Sequence, residues 1–322
     1  MNWRRRLRRR ELVLVLGGGG AKSFSQVGVL KVLEEEGLFP SRVVGCSMGA
    51  ILGGLYCQGK KVQEIEEIIR DFSSWKEIKE IERKFTRKKK GLPRIGDYLK
   101  DVTLYFRELT REGLWEEKDL LEGLGKLFPE EKKIEELPLP FWCVAVDLKE
   151  GKRIIFRRGY LLPSIAASSS IPGVFSPVKS GDRILGDGGI LSKIPVMGAI
   201  ENGKEFVISV LPGNLPPASP KRALDFLIRM NELRERELTR LEAGLSDFLI
   251  VPEVEEWKWF SFSHAEEIIK KGEETARRII PLLKRRIHSP SRRLRKERTL
   301  FLPYFPYEED TISHYRPGEG RS

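Results

Sequence analysis

Three stretches hold residues whose types and spacing suit nucleophilic chemistry on a carbonyl. The first is Gly45-Cys46-Ser47-Met48-Gly49, with Val43-Val44 before it and Ala50-Ile51-Leu52-Gly53-Gly54-Leu55-Tyr56 after it. A serine between Gly45 and Gly49 where a strand gives way to a helix reads as a nucleophile elbow. The turn is tight, so its flanks need small residues, and the Ser47 hydroxyl stands clear of the backbone. The helix that follows aims its free N–H groups and partial positive charge at a developing oxyanion. The same five residues also suit a small-residue turn that lets a helix pack closely on a sheet. The second stretch is Gly17-Gly18-Gly19-Gly20-Ala21-Lys22-Ser23. It fails as a Walker A loop, because Leu16 and Ala21 stand where the two glycines belong. It fails as a dinucleotide fingerprint, because Lys22 or Ser23 falls at the last glycine. Consecutive glycines can instead converge their N–H groups on one oxygen and serve the Ser47 site, or simply form a flexible turn. The third stretch is Gly186-Asp187-Gly188-Gly189 after the apolar Ile184-Leu185. Glycines on both sides can fix the Asp187 carboxylate toward a neighbouring loop, although an ordinary Asp-Gly hairpin turn reads the same way.

The elements that position these residues follow from apolar runs and period. Glu11 to Leu16 reads as a buried strand, and a helix from near Phe24 to Glu36 stops at Gly37. With the strand before Ser47 and the helix after it, this opens a parallel sheet with crossover helices. Helical pattern runs from Val62 to Phe72. The span 76–137 is a lid-like insertion, with charged runs at Arg83-Lys84 and Arg87-Lys88-Lys89-Lys90 and aromatics Tyr98, Tyr105, Phe106 and Trp115. Those aromatics wall a pocket or belong to plain core. Phe141 to Asp147 is a buried strand with Arg153 to Arg157 as its hairpin partner. Ser164 to Ile171 is a small-residue helix ended by Pro172-Gly173, whose small side chains also suit close packing alone. Strands at Phe206 to Leu211 and Asp247 to Val251 alternate with helices at Lys221 to Ala243 and His264 to Arg286. Residues 1–10 form a basic arm. Residues 287–322, basic, proline-containing and aperiodic, read as a disordered tail.

Composition narrows the class. The chain has 322 residues, of which 40% are hydrophobic, enough for a large α/β domain, and 33% are charged. No apolar run approaches the roughly 18 residues of a membrane span. The apolar stretch behind Met1-Asn2-Trp3-Arg4-Arg5-Arg6 is too short for a secretory signal. Cys46, Cys57 and Cys143 make no paired framework, so a reducing, cytoplasmic compartment is expected. The formal net charge of +11 favours polyanions; a peripheral contact with an anionic membrane is expected rather than nucleic acid. Oligomeric state is not readable.

Taken together, these blocks resemble the patatin-like phospholipases, specifically their bacterial branch. Leu16-Gly17-Gly18-Gly19-Gly20-Ala21-Lys22 through Gly28-Val29-Leu30 is similar to that family's glycine-rich loop and first helix. Gly45 to Ala50 is similar to its elbow, Ser168-Ser169-Ser170-Ile171-Pro172-Gly173-Val174-Phe175 to the helix end before its aspartate, and Asp187-Gly188-Gly189 to its D-G-[AG] motif. The likeness covers about residues 11 to 286. It implies a three-layer α/β/α patatin-like fold with a central, mostly parallel sheet in 11–286. It also implies hydrolysis of lipid acyl esters, phospholipase A- or lysophospholipase-like, by a Ser-Asp dyad through an acyl-enzyme, with no metal and no cofactor. Carried over, Ser47 is the nucleophile, Asp187 the base, and the amides of Gly18, Gly19 and Gly20 the oxyanion hole, with a lipid or small ester as substrate. One departure is Ser23, where the family usually has glycine; serine resists a positive φ.

Two other readings stay open. An α/β-hydrolase triad, in the order Ser, acid, His, would recruit His264, His288 or His314. A non-catalytic lipid- or nucleotide-binding module would use the glycine loop and basic surface without Ser47.

Overall fold

Five apolar residues in succession, Leu12–Leu16, form β1, buried along its whole length as a central strand covered on both faces must be. The computed structural model describes residues 11–86, 113–288 apart from 202, 204 and 222, and 307–312. After β1 come α1 (Ser25–Glu35), β2 (Arg42–Cys46), α2 (Met48–Cys57), α3 (Val62–Ser74), α4 (Lys76–Thr86) and α5 (Glu117–Gly125). Then follow β3 (Phe141–Asp147), β4 (Lys152–Gly159), α6 (Leu161–Ser169), β5 (Val178–Ser180), β6 (Arg183–Asp187) and the single turn α7 (Gly189–Ser192). The chain continues through β7 (Phe206–Val210), α8 (Ala223–Ala243), β8 (Phe248–Ile250), α9 (Ala265–His288) and β9 (Tyr307–Ile312). Local signals set the bounds. Gly37 takes φ 66°, which lets the Leu38 N–H return to the Leu33 carbonyl at 2.8 Å and close α1 in a Schellman motif. The Glu64 carboxylate accepts the Lys61 N–H at 2.7 Å and opens α3. That helix buries Val62, Ile65, Ile69 and Phe72 on one stripe.

The strands form one sheet in the order β5-β6-β3-β2-β1-β7-β8, with β4 also on β3 and β9 beyond β4. Strands β1, β2, β3, β7 and β8 run parallel. Leu14, Leu16, Val43, Phe141 and Ile208 face a layer built from α1, α2, α3, α6 and α9. Val13, Val15, Val44, Val144 and Val207 face a thinner layer made by residues 194–200 and the end of α8. This is the expected α/β/α architecture with a mostly parallel sheet. Each large side chain fully buried in such a core contributes about 1.5–3 kcal/mol, so alternate residues of every central strand support opposite layers.

One strand places the candidate site. β4 pairs with β3 over Cys143–Asp147. β2 pairs with β3 up to Cys46↔Val144, and β6 from Ala145↔Asp187 onward. Because β4 overlaps both, β2 and β6 must share the opposite edge of β3, end to end. Cys46 and Asp187 therefore sit opposite consecutive residues, and Ser47 leaves β2 where Asp187 ends β6.

Two sequence expectations change. Within 287–322, expected as a disordered tail, Tyr307–Ile312 forms β9 and lies parallel to β4. The stretch around it is basic, proline-containing and aperiodic, which is why a tail is expected there; the acidic residues of the strand itself meet cations. Glu308 pairs with Lys152 at 2.7 Å, Asp310 with Arg183 at 3.2 Å and Glu309 with Arg157 at 3.5 Å, while Ile312 is buried. The long amphipathic helix at 221–243 begins at Ala223, and its first half is not packed on the core. The arm 1–10, the run 87–90, Tyr98, Tyr105, Phe106 and the remainder of the tail lie outside the described residues.

Candidate active site

Ser47 occupies the turn between β2 and α2 with φ 53° and ψ −129°. Among the described residues it is the non-glycine with positive φ, a conformation that costs on the order of 1–3 kcal/mol and persists only when its surroundings enforce it. The enforcement is visible. A side chain at Gly49 would collide with the Leu16 carbonyl, and one at Gly45 with the backbone of Gly49 and Ala50. The elbow thus closes against β1 only because both positions are glycine. The Ser47 N–H donates to Ser168 Oγ at 3.0 Å. Two residues on, the Ser170 carbonyl accepts the Asp187 N–H at 3.0 Å. The C-terminal end of α6 therefore holds both partners by their backbones. Its run of three serines had read equally well as a small-residue packing helix.

Asp187 is buried. Its Oδ1 accepts the Gly189 N–H at 2.7 Å. Gly188 lies against the Val144 carbonyl, with no room for a side chain. Its Oδ2 is buried without a well-formed hydrogen bond. Burial pushes the carboxyl up to about 6, and the facing Ser47 hydroxyl and the Gly189 amide draw it down. The carboxylate and the hydroxyl face each other in a dry site, one side of the carboxylate anchored and the other free for a proton.

The glycine loop is only partly available to an oxyanion. Gly17 N–H continues the ladder to the Val210 carbonyl at 3.0 Å, and Gly18 N–H donates to the Lys193 carbonyl at 2.8 Å. Of the three amides expected for an oxyanion, that of Gly18 thus already has an acceptor, on a loop of the opposite layer. The N–H groups of Gly19 and Gly20 have no acceptor among the described residues. Gly20 takes φ 57° beneath the Trp259 carbonyl, and that carbonyl accepts the Ala21 N–H at 2.7 Å. Ser23 is in the 3-10 turn Gly20–Phe24 and has no positive φ. The departure at Ser23 therefore carries no backbone strain; the position that demands glycine is Gly20.

An apolar cleft opens over Ser47; its space of about 830 Å³ includes the open solvent at its mouth. Ile51 of α2, Ile78 and Ile81 of α4, and Leu120 and Leu124 of α5 line it, with Trp115, Phe175 and Trp259. The described parts of 76–137 thus form one wall, and Trp115 belongs to the pocket. Trp259 was not singled out in the sequence; the aromatic density of Trp257-Lys258-Trp259-Phe260 was the available signal. Ser169 lines the cleft with a buried hydroxyl that has no partner. Among the histidines proposed for a triad, His264 is exposed and its Nδ1 pairs with the adjacent Ser263 Oγ at 3.1 Å. The side chain of His288 and all of His314 lie outside the described residues. The cysteines are free and buried; Cys46 Sγ lies 3.9 Å from Asp187 Oδ1. Among the described residues no helix is long and apolar enough to cross a membrane.

Comparison with known proteins adds the lineage. The family model for the patatin-like phospholipases matches residues 14–200. An uncharacterized NTE family protein of Mycobacterium tuberculosis is 30% identical over 299 residues, covering 85% of this chain and 47% of its own length. A lysophospholipase NTE1 of Cryptococcus neoformans is 29% identical over 244 residues, 73% of this chain and 14% of that protein. The chain thus spans about half or less of the length of these relatives. Among solved structures, VipD from Legionella pneumophila aligns with a TM-score of 0.43 at 16% identity, over 84% of this chain and 66% of that one.

Proposed function

The chain belongs to the patatin-like phospholipase family, and from that premise we propose that it is a serine hydrolase of lipid acyl esters working through a Ser47–Asp187 dyad. The observation that carries this reading is the buried Asp187 carboxyl, anchored on one side by the Gly189 amide and facing on the other a hydroxyl on a strained elbow. Asp187 takes the proton as Ser47 Oγ attacks the ester carbonyl. The oxyanion gathers to the free amides of Gly19 and Gly20, each such donor being worth on the order of 10²–10³ in rate. Collapse expels the alcohol, which takes back the proton, and leaves an acyl-serine. A water then repeats the sequence and releases the acid. A carboxyl near 6 is a better base at neutral pH than an ordinary aspartate, and burial is what supplies the difference.

The cleft supports an acyl chain as the recognised part. Each buried methylene is worth about 0.8 kcal/mol, so kcat/KM should rise up to about fourfold per added carbon until the cleft is filled. Of the relatives' names, lysophospholipase agrees with a single-chain substrate entering one apolar slot. The exposed position of His264 favours the dyad over a triad. The test is fluorophosphonate labelling together with hydrolysis of p-nitrophenyl esters of graded length. Ser47→Ala should abolish labelling and lower turnover about 10³-fold or more with circular dichroism unchanged. Labelling that persists in Ser47→Ala overturns the assignment.

A further inference from the structure

We propose that Ser169 reads the alcohol half of the ester, binding a free hydroxyl on the carbon next to the ester oxygen. The proposal rests on the Ser47–Asp187 reading for the direction the substrate takes; the idle Ser169 hydroxyl is a property of the fold.

A serine in a helix has an acceptor at hand, because its hydroxyl can return to the carbonyl four residues back. The serines of α6 show what that helix does with them. Ser164 Oγ donates to the Tyr160 carbonyl at 2.7 Å. Ser170 Oγ, one residue past the helix, donates to the Ala166 carbonyl at 2.8 Å. Ser168 Oγ accepts the Ser47 N–H at 3.0 Å. Ser169 stands between the last two. It is 6% exposed, and its buried hydroxyl has no partner among the described residues. The corresponding return bond, to the Ile165 carbonyl, is not made. Helix formation does not call for serine there, since alanine, present at Ala166 and Ala167, is the better helix former. A buried hydroxyl left unpaired is destabilising and uncommon. Ser169 therefore holds an open hydrogen-bonding capacity that an arriving group can fill.

The wall around it narrows what that group is. Ser169 lines the cleft beside the apolar Ile171, Val174 and Phe175. Among the described lining residues, the side-chain hydroxyls are those of Ser47 and Ser169. With Ser47 as nucleophile, Ser169 is the hydroxyl left for recognition. An acyl chain has no atom to offer it, so the partner lies on the alcohol side of the ester.

The sheet sets which part of the substrate passes Ser169. In the order β3-β2-β1, Ser47 follows the middle strand. The glycine loop follows β1 on one side, where a side chain at Gly18 would lie 3.1 Å from the Ser47 Cβ. The end of α6 lies on the other side, where Ser168 holds the Ser47 amide and Ser170 the Asp187 amide. In the proposed reaction the carbonyl oxygen turns toward the Gly19 and Gly20 amides, and Asp187 hands its proton to the leaving oxygen. The leaving oxygen must therefore face Asp187, and the alcohol it carries runs past the end of α6. A hydroxyl on the next carbon is then brought to Ser169. Serine both donates and accepts, so it suits a hydroxyl partner in either sense, and rotation about χ1 alone turns its oxygen to that partner. The substrate class is an acyl ester of a polyol whose adjacent hydroxyl is free.

The experiment compares kcat/KM for the terminal monodecanoate of glycerol with that for the monodecanoate of trimethylene glycol, the same molecule without the middle hydroxyl. The parent enzyme should favour the glycerol ester about fivefold or more, the worth of one ordinary hydrogen bond. Ser169→Ala should bring that ratio to about one by slowing the glycerol ester. Its thermal midpoint should hold or rise, because the hydroxyl it removes has no partner in the free enzyme. The assignment is overturned if the parent hydrolyses both esters with equal kcat/KM, or if Ser169→Ala keeps the parent's preference. It is equally overturned if Ser169→Ala lowers the thermal midpoint and slows both esters alike, which is the mark of a structural serine. Failure of the parent to hydrolyse either ester or a p-nitrophenyl ester would break the hydrolase reading itself and take this assignment with it.

Discussion

Asp187 and Glu242 are both buried carboxyls, and both touch the short segment that joins β6 to residues 194–200. Burial raises both, Asp187 to about 6 and Glu242 to about 7. They differ in what the protein gives them. Glu242 accepts from Ser192 Oγ at 2.6 Å, Met197 N–H at 3.0 Å and Tyr307 Oη at 3.1 Å. It joins α8, the segment after α7 and β9, and leaves neither oxygen idle. Asp187 is given one amide, and its other oxygen faces Ser47. A raised carboxyl by itself therefore does not identify a base. A saturated carboxyl is a fastening. An incompletely satisfied one, set against a strained serine under an apolar cleft, can do chemistry.

The comparison breaks most sharply if Asp187 proves dispensable. Asp187→Asn, nearly the same size but unable to take the proton, should lower kcat about 10³-fold or more while the thermal midpoint holds or rises, since a buried charge is removed. Near-normal turnover of a soluble ester would transfer the role of base elsewhere. Next in size is the acid limb. The base must be ionised, so kcat/KM should fall about tenfold per unit as pH drops below about 6, and Glu242→Gln should leave that limb in place. A limb that moves with Glu242 would mean that the two carboxyls titrate as one system.

Glu242 should reveal itself in stability instead. Its folded value is raised from the ordinary 4.5 to about 7, so the fold favours the protonated form. That stabilisation is complete below about 4.5 and is lost as pH rises through about 7. Denaturation followed across this range should lose part of its pH slope in Glu242→Gln, with turnover within a few-fold of the parent. The smallest effects belong to residues that touch neither carboxyl: His264→Ala and Ser23→Gly should each keep ester hydrolysis within about twofold. A collapse in His264→Ala would revive the triad.

What could be read from the chain followed how local the cause was. The elbow, the glycine loop and the strands around them depend on neighbours a few residues away, and their apolar runs and turn glycines announce them. Asp187 could be named but not placed, because its position depends on β6 taking over the edge of β3 from β2, a pairing between distant segments. The commitment of the Gly18 amide to Lys193 is another such long-range contact. Trp259 carries no motif, and its part emerges only when its carbonyl meets Ala21. β9 was hidden because the stretch around it is basic, proline-containing and aperiodic. Tyr307-Glu308-Glu309-Asp310-Thr311-Ile312 has too few apolar residues to announce a strand, and its acids meet Lys152, Arg157 and Arg183 on distant segments.

The shared edge of β3 also orders events during synthesis. A ribosome delivers β1, β2 and β3 first, and these can assemble as neighbouring parallel strands with the Ser47 turn at their end. At that stage the edge of β3 beyond Val144 is vacant. On the proposed dyad, the nascent chain then holds Ser47 without Asp187. Asp187 arrives with β6, and the Trp259 wall of the cleft later still. On that reading a chain released early would carry the elbow yet hydrolyse nothing, so timing is written into which strand occupies one edge, and when.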